Sequence, residues 1–448
     1  MRNVEVFHGN QIGGCVTVIT SNYKGEPHRI MIDYGSSLPG CETEDFHYDW
    51  DEAPVDAVFF THCHGDHVGQ ILGIPKHIPI YMGDTARKVM QNLHEHLSKI
   101  PDEAEARPHK ETYELLKDDN RIHTFNWNGK RYDPVDIPGF HIEPCSVDHS
   151  AYDAYMFLIE AAEDDHADGK QIILHTGDFR GHGRRGKAML PVIDSFVRRF
   201  GRRRVDTLVI EGTMMSRLTE KVKTEPEMQR EAAEYLKDHR HAFLICSSTN
   251  LDSLASFHKA WKQVNKEDDE NRRAYMYTYN YYYKKQMETF SETAGAFAPV
   301  YDFDNIEVLN LDKELTSKRT GRTYTQKYLM ERFGFLALIK ADESCDKYLE
   351  AFIDCEDKPV IIYSMWDGYL NPNHPAFNKS WYDFIEKWKA RGVEFKPLHT
   401  SGHATAKMIE DVIKAVDPQE EIVPMHTENA EGFEELNIGE ELKGRIRK

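Results

Sequence analysis

In the stretch VFFTHCHGDHVGQ, residues 58–70, His62, His64, Asp66 and His67 fall within six positions directly behind an apolar run. Three imidazoles and a carboxylate at that spacing suit a divalent ion of borderline softness such as zinc. The alternate residues His62 and His64 can face one ion while Asp66 and His67 turn toward a second. Each ion is then short of ligands, and the distant His149, Asp178 and His426 could supply them. The competing reading, a polar loop with accidental histidines, is the weaker one, because a four-residue motif behind a strand is far more specific than a lone histidine.

The elements around these residues explain how they could meet. CVTVIT, HRIMIDYG, DAVFFTH and IPIYMG are short β-rich runs bounded by Gly, Pro or Asp, and MFLIEA, QIILHTGD, TLVIEGT, AFLICSS, PVIIYS and EIVPMHT repeat the pattern. EPEMQREAAEYLKDH, LDSLASFHKAWKQV and SWYDFIEKWKARG carry the apolar spacing of amphipathic helices. The fold class is therefore α/β, and the 448 residues predict two domains. Asp33 ends IMID, Asp178 follows IILHTG, Glu211 ends LVIE, His426 follows EIVPM, and His149 directly precedes a strand. Strand ends are where α/β architectures gather their chemistry.

Composition narrows the function. A net charge of −19 works against a protein that coats nucleic acid, since phosphate contacts need clustered Lys and Arg. One basic island, Arg180 to Arg204, interrupts this acidity; its last part reads as a solvated face, whereas Arg180 follows Asp178 closely enough to be a substrate-binding candidate. No apolar run of about 18 residues is present, so no membrane partner is expected and the protein is read as cytoplasmic. Seven scattered cysteines without CxxC spacing indicate neither a disulfide framework nor a cysteine zinc site. Tyr275, Tyr277 and Tyr279 alternate as on one face of a half-buried strand, although tyrosine faces can also stack on bases. Ser247 and Ser364 follow strands and are candidate phosphate contacts, while Ser248 or Thr249 is expected to cap the helix beginning near Leu251.

THCHGDH matches the HxHxDH signature of the metallo-β-lactamase fold, with Asp33 in MIDYG, His149, and Asp178 in TGDFR in the order of that superfamily's other motifs. The resemblance implies an αββα sandwich with two zinc ions, manganese being the alternative. One ion would be held by His62, His64 and His149, the other by Asp66, His67 and a bridging Asp178, with Asp33 a buried carboxylate supporting the loop. PLHTSGHATAKMIEDVIKAV and IVPMHTENAEGF resemble the ending of β-CASP nucleases, the branch that contains ribonuclease J. That likeness implies an inserted α/β β-CASP-like domain at 215–378, with the metallo-β-lactamase core formed by 1–214 and 379–448. It makes His426 a ligand of the second ion and His403 a contact to the scissile phosphate, oriented by Glu211; Asp66, Glu211 and His403 are the catalytic candidates. A histidine at the last motif goes with RNA-processing members, so a zinc-dependent ribonuclease acting on single-stranded RNA, or on another nucleic acid, is the leading expectation. HTEN stands where ribonuclease J has HGE, and EGTMMSR departs from the usual acidic-Ser-Thr pattern. The alternative is a dinuclear-zinc hydrolase of a small ester, lactone or phosphodiester, which the chain's acidity favours. Formation of a homo-oligomer is left open.

Overall fold

The computed structural model describes the chain apart from residues 1–2, 39–43, 165–168, 199–204, 266–275, 295–297 and 317–320. It divides into two compact units, Met1–Val222 with Gly402–Lys448, and Lys223–Ser401.

The first unit is built on two six-stranded sheets. One runs in order through β1 (Val4–Phe7), β2 (Val16–Tyr23), β3 (Glu26–Ile32), β4 (Ala57–Phe59), β5 (Ile80–Met82) and β6 (Ile122–Thr124). Its first three strands are antiparallel and its last four parallel. The other sheet contains β7 (Val135–Ile137), β8 (Phe140–Ser146), β9 (Tyr155–Ala162), β10 (Lys170–His175), β11 (Thr207–Glu211) and, from the far end of the chain, β20 (Glu421–Met425). Its order is β20-β11-β10-β9-β8-β7, parallel across β10, β11 and β20 and antiparallel from β10 to β7.

Side chains alternate across a strand, and here both faces are apolar. Ile30, Ile32, Ala57 and Phe59 of one sheet share a buried cluster with Phe157, Ile159, Ile173, Val209 and Val423 of the other, so the sheets pack face to face. The intervening residues Met156, Leu158, Leu174, Leu208 and Ile210 point the opposite way. They meet Met189, Ile193 and Phe196 of the helix Gly186–Arg198 and Ile409, Val412 and Ile413 of the helix Ala406–Val416. Met31 and Val58, which turn from the sandwich interior on the first sheet, are fully buried as well. Two sheets between covered outer faces is the sandwich that the sequence predicts for this part of the chain.

The second unit holds an all-parallel sheet. Its strands are β12 (His241–Cys246), β13 (Met276–Thr278), β14 (Ile306–Val308), β17 (Phe335–Ile339), β18 (Val360–Ser364) and β19 (Glu394–Pro397), in the order β14-β13-β17-β12-β18-β19. A small antiparallel pair, β15 (Glu314–Thr316) and β16 (Thr323–Thr325), stands beside it in sequence. The unit extends to Ser401 where the sequence expectation closed it at 378. The reason is pairing: β19 continues this sheet along β18, and Phe384, Ile385 and Trp388 of the helix Lys379–Ala390 enter its core.

Two local expectations are corrected here. The cap of the helix Leu251–Val264 is Asn250, whose side chain accepts from the Ser253 N–H at 3.1 Å; Ser248 and Thr249 bond instead to the Tyr282 hydroxyl and to the Ser247 hydroxyl. The tyrosine run changes character midway: Tyr277 is buried in β13, while Tyr281 to Tyr283 open the helix Tyr281–Ala294 with Tyr282 and Tyr283 buried. Tyr275 and the arginines 199 and 202–204 lie outside the described residues.

Candidate metal centre

The motif loop after β4 is laced to its neighbours by backbone hydrogen bonds. Cys15 donates its N–H to the Asp66 carbonyl at 2.9 Å, Tyr34 to His67 at 2.8 Å and Ser36 to Gly65 at 3.0 Å. Gly35 is what allows this approach, because a Cβ there would stand 1.6 Å from the Asp66 carbonyl oxygen. Two further strand ends are bent into place by residues in the left-handed region, Asp33 after β3 (φ 61°) and His426 after β20 (φ 51°). Few non-glycine residues adopt that conformation, and it is found where a side chain must be re-aimed.

These turns gather the predicted residues. His62 Nε2 lies 3.1 Å from His64 Nδ1, which lies 3.4 Å from His149 Nε2, so the three imidazoles form one cluster. Beside it, Asp178 Oδ2 is 3.1 Å from His67 Nε2, 3.5 Å from His426 Nε2, 3.5 Å from His403 Nδ1 and 4.0 Å from His62 Nε2. Asp66 Oδ2 closes this second group at 3.8 Å from His67 Nε2 and 3.5 Å from His426 Nε2. Asp178 thus stands between the two groups, as a bridging carboxylate would.

Most of the ring nitrogens turned away from the cluster are held. Asp33 is 2.7 Å from His67 Nδ1 and accepts from both the N–H and the hydroxyl of Thr61 at 2.8 Å. Thr61 Oγ1 also lies 3.0 Å from His62 Nδ1. The Gly402 carbonyl takes His149 Nδ1 at 2.7 Å, and Cys15 Sγ lies 3.0 Å from His426 Nδ1. Such outer partners fix the ring orientation and the tautomer of a metal-binding histidine.

Charge divides the site in two. Burial pushes His62 and His149 well below the ordinary imidazole value and His64 down to about 4, which keeps these three in the neutral form that ligates metal. Burial opposes charge on His67 and His426 too, yet Asp178 and the neighbouring Cys15, with Asp66 on both and Asp33 on His67, hold His67 well above that value and His426 at about 10. Asp178, despite its burial, is held well below the carboxylate range by His426 and His67. The carboxylate half therefore demands positive charge. Asp178 Oδ1 and His426 Nε2 are buried with no hydrogen-bond partner, and buried polar atoms left so are costly. A divalent ion satisfies both, so the residues present fit the metal that the motif implies; its number and identity are not fixed by them.

Glu211 has a part beyond the one expected. Its carboxylate, fully buried, accepts from the Ala404 N–H at 3.0 Å, the Thr213 N–H at 2.9 Å and the Phe179 N–H at 3.4 Å. It thereby ties three loops together, and its Oε1 also lies within ion-pair distance of His403 Nδ1 at 3.6 Å. The Thr213 hydroxyl, on a residue the sequence does not single out, lies closer to that ring nitrogen at 3.1 Å. Arg180 is fully buried beside Asp148, 3.8 Å away, and presents no guanidinium to a substrate. Ser247 and Ser364 lie at the ends of the adjacent strands β12 and β18 in the second unit. Cys15 and Thr61 were also missed: Thr61 adjoins His62 in the motif stretch, where a lone hydroxyl gives no signal, and only the fold brings Cys15 beside His426.

Residues 28–245 match the family model described as the beta-lactamase superfamily domain. Among solved structures, a protein of unknown function from Enterococcus faecalis V583 is similar along nearly its full length, with a TM-score of 0.59, 15% identity, and coverage of 95% of this chain and 94% of that one. Partial likeness extends to ST1585, an archaeal metallo-beta-lactamase superfamily protein from Sulfolobus tokodaii (TM-score 0.26, 16% identity, 41% of this chain and 65% of that one). It extends also to BJP-1, a subclass B3 metallo-beta-lactamase of Bradyrhizobium japonicum (TM-score 0.28, 11% identity, 46% and 74%). A search of curated proteins found no match. Over residues 28–245, a little under half of the chain, the sequence is thus similar to the beta-lactamase superfamily domain.

Proposed function

We propose that the protein is a metal-dependent hydrolase of phosphodiesters, with single-stranded RNA as its first-choice substrate. Members of the metallo-β-lactamase superfamily are hydrolases, and a pair of divalent ions supplies an activated water and compensation for charge building on the phosphate oxygens. His62, His64 and His149 would hold one ion, Asp66, His67 and His426 the other, with Asp178 touching both.

The observation that carries the reading is His403. Its side chain is 23% exposed while Asp178 and Thr213 beside it are buried, and its Nδ1 stands 3.5 Å from Asp178 and 3.1 Å from the Thr213 hydroxyl. A partly exposed imidazole fixed at the edge of a dinuclear site can bind a non-bridging phosphate oxygen or hand a proton to a leaving oxygen. The RNA preference rests on the β-CASP likeness of the SGHA stretch around His403 and of the last motif around His426. A small ester, lactone or phosphodiester is the second reading, favoured by the net charge of −19 and by the burial of Arg180.

The test is cleavage of 5′-end-labelled single-stranded RNA and the matched DNA with zinc or manganese, beside Asp66→Ala and His403→Ala. Metal-dependent RNA cleavage lost in both variants supports the ribonuclease. Full metal binding with neither polymer cut transfers the proposal to small esters and phosphodiesters. Salt discriminates further, since counterion release makes polymer binding fall steeply with ionic strength and leaves a small ligand nearly unaffected.

A further inference from the structure

Trp127 has no part in the chemistry above, and it stands 55% exposed on a firmly bonded loop. Between β6 and β7, residues 126–133 form a small hairpin. The Asp133 N–H donates to the Asn126 carbonyl at 2.8 Å and the Asn128 N–H to the Arg131 carbonyl at 3.0 Å. The Asn128 side-chain oxygen accepts from the Lys130 and Arg131 N–H groups, both at 3.1 Å, and the Asp133 carboxylate accepts from the Asn126 and Asn128 amides. Trp127 is bridged to Tyr132 across the hairpin, the two rings edge to face with centroids 5.1 Å apart. An aromatic ring held out in water on a stiff support can receive a flat partner with little ordering cost.

Contacts run from this hairpin back to the ligand loop. Tyr132 packs edge to face on Tyr155 at 5.1 Å. Burial raises the Tyr132 phenol above its ordinary value, and Tyr155, Asp153, Arg185 and Tyr152 all stand near enough to act on it. Arg185 lies over the Tyr152 ring at 4.9 Å and donates to the Tyr152 carbonyl at 2.7 Å. Tyr152 in turn closes the turn that starts at His149, its N–H on the His149 carbonyl at 3.1 Å. Lys130, at the hairpin tip, is exposed and makes no ion pair among the described residues. The neighbouring acids are engaged: Asp133 by the two asparagines, Glu143 by Arg131 at 3.4 Å, and Asp153 by the Tyr155 hydroxyl and the Ala86 N–H.

We propose that Trp127, backed by Tyr132, and the cations Lys130 and Arg185 form a rest for a single strand of nucleic acid, a base stacking on the indole while the backbone passes the two cations toward the metal centre. The proposal rests on the nucleic-acid reading of that centre. A chain of net charge −19 repels a polyanion over most of its surface, so aromatic and cationic groups joined to the ligand loop mark where a strand can lie.

The test uses zinc-loaded, full-length protein carrying His403→Ala, which is expected to hold metal without turnover. It is titrated with fluorescein-labelled single-stranded RNA of about 12 nucleotides and followed by anisotropy. Adding Trp127→Ala should weaken binding about 5- to 150-fold, the range for one lost stacked base, and Trp127→Phe should recover most of it. Lys130→Ala should lower the salt slope by about 0.7, the share of one phosphate on a single strand. Tyr328→Ala, which removes another open aromatic from the second unit, should leave binding where it was. Trp127→Ala protein that binds as tightly as its parent overturns the inference and leaves the nuclease reading standing. So does Trp127→Phe as weak as Trp127→Ala, Tyr328→Ala as weak as Trp127→Ala, or a loss as large for a blunt duplex as for the single strand, since a stacked base is then not what was removed. A parent protein that holds metal and binds neither RNA nor the matched DNA overturns the nucleic-acid reading, and this inference with it.

Discussion

His403 and Asp178 differ in a way their shared neighbourhood conceals. Asp178 is buried and faces His62, His67, His403 and His426, so Asp178→Ala should lower metal content as well as turnover, as measured by metal analysis of the dialysed protein. His403 is partly exposed at the edge, so His403→Ala should retain metal and lose turnover about 10²–10⁴-fold, the usual range for a general acid or base. A second residue-level prediction concerns stability alone. His258 in the second unit is held down to about 4, first by burial. A group with a folded value below its unfolded one contributes stability above the unfolded value, near 6.5, which is lost as pH falls toward 4. The loss is at most about 3 kcal/mol at ~1.4 kcal/mol per unit, and His258→Gln should flatten the pH dependence of chemical denaturation over that window. At this scale the motif residues were legible because spacing alone makes them improbable as a set. Thr213, Thr61 and Cys15 were not, since a lone hydroxyl or thiol acquires meaning only from what the fold sets beside it.

At the scale of elements, the site depends on how closely segments pass. Gly35→Ala places a methyl group into the Asp66 carbonyl, so the motif loop has to move. Metal should bind at least about tenfold more weakly, consistent with the sensitivity of ligand geometry, as read by cobalt titration. Thr405 caps the helix Ala406–Val416 by accepting from the Met408 N–H at 3.3 Å. Thr405→Ala should cost about 1 kcal/mol in denaturant unfolding, with less effect on metal content, because the cap lies beyond His403. The strands were readable from their apolar runs, and their ends carried the chemistry as α/β folds lead one to expect. The assignment of β19 and the helix Lys379–Ala390 to the second unit was not, since strand pairing across a parallel sheet leaves no local mark in sequence.

At the scale of the whole molecule, the two units have separate cores, and among the described residues only the first contains the ligand cluster. A chelator should therefore lower one calorimetric transition by several degrees and leave the other in place, because a ligand stabilises only the structure that binds it. Coincident shifts of both transitions would show that the units unfold together. Among the described residues no helix is long and apolar enough to cross a membrane. The left-handed turns at Asp33 and His426 have a consequence for any search for a sturdier protein. At such positions glycine is the residue the backbone prefers, yet His426 is buried against Cys15, Asp66 and Asp178, so a glycine there would relieve the turn and leave a cavity with two carboxylates stripped of a partner. The strained turn is therefore kept for the nitrogen it aims, and a library that varies this turn has to be read for metal content as well as for survival.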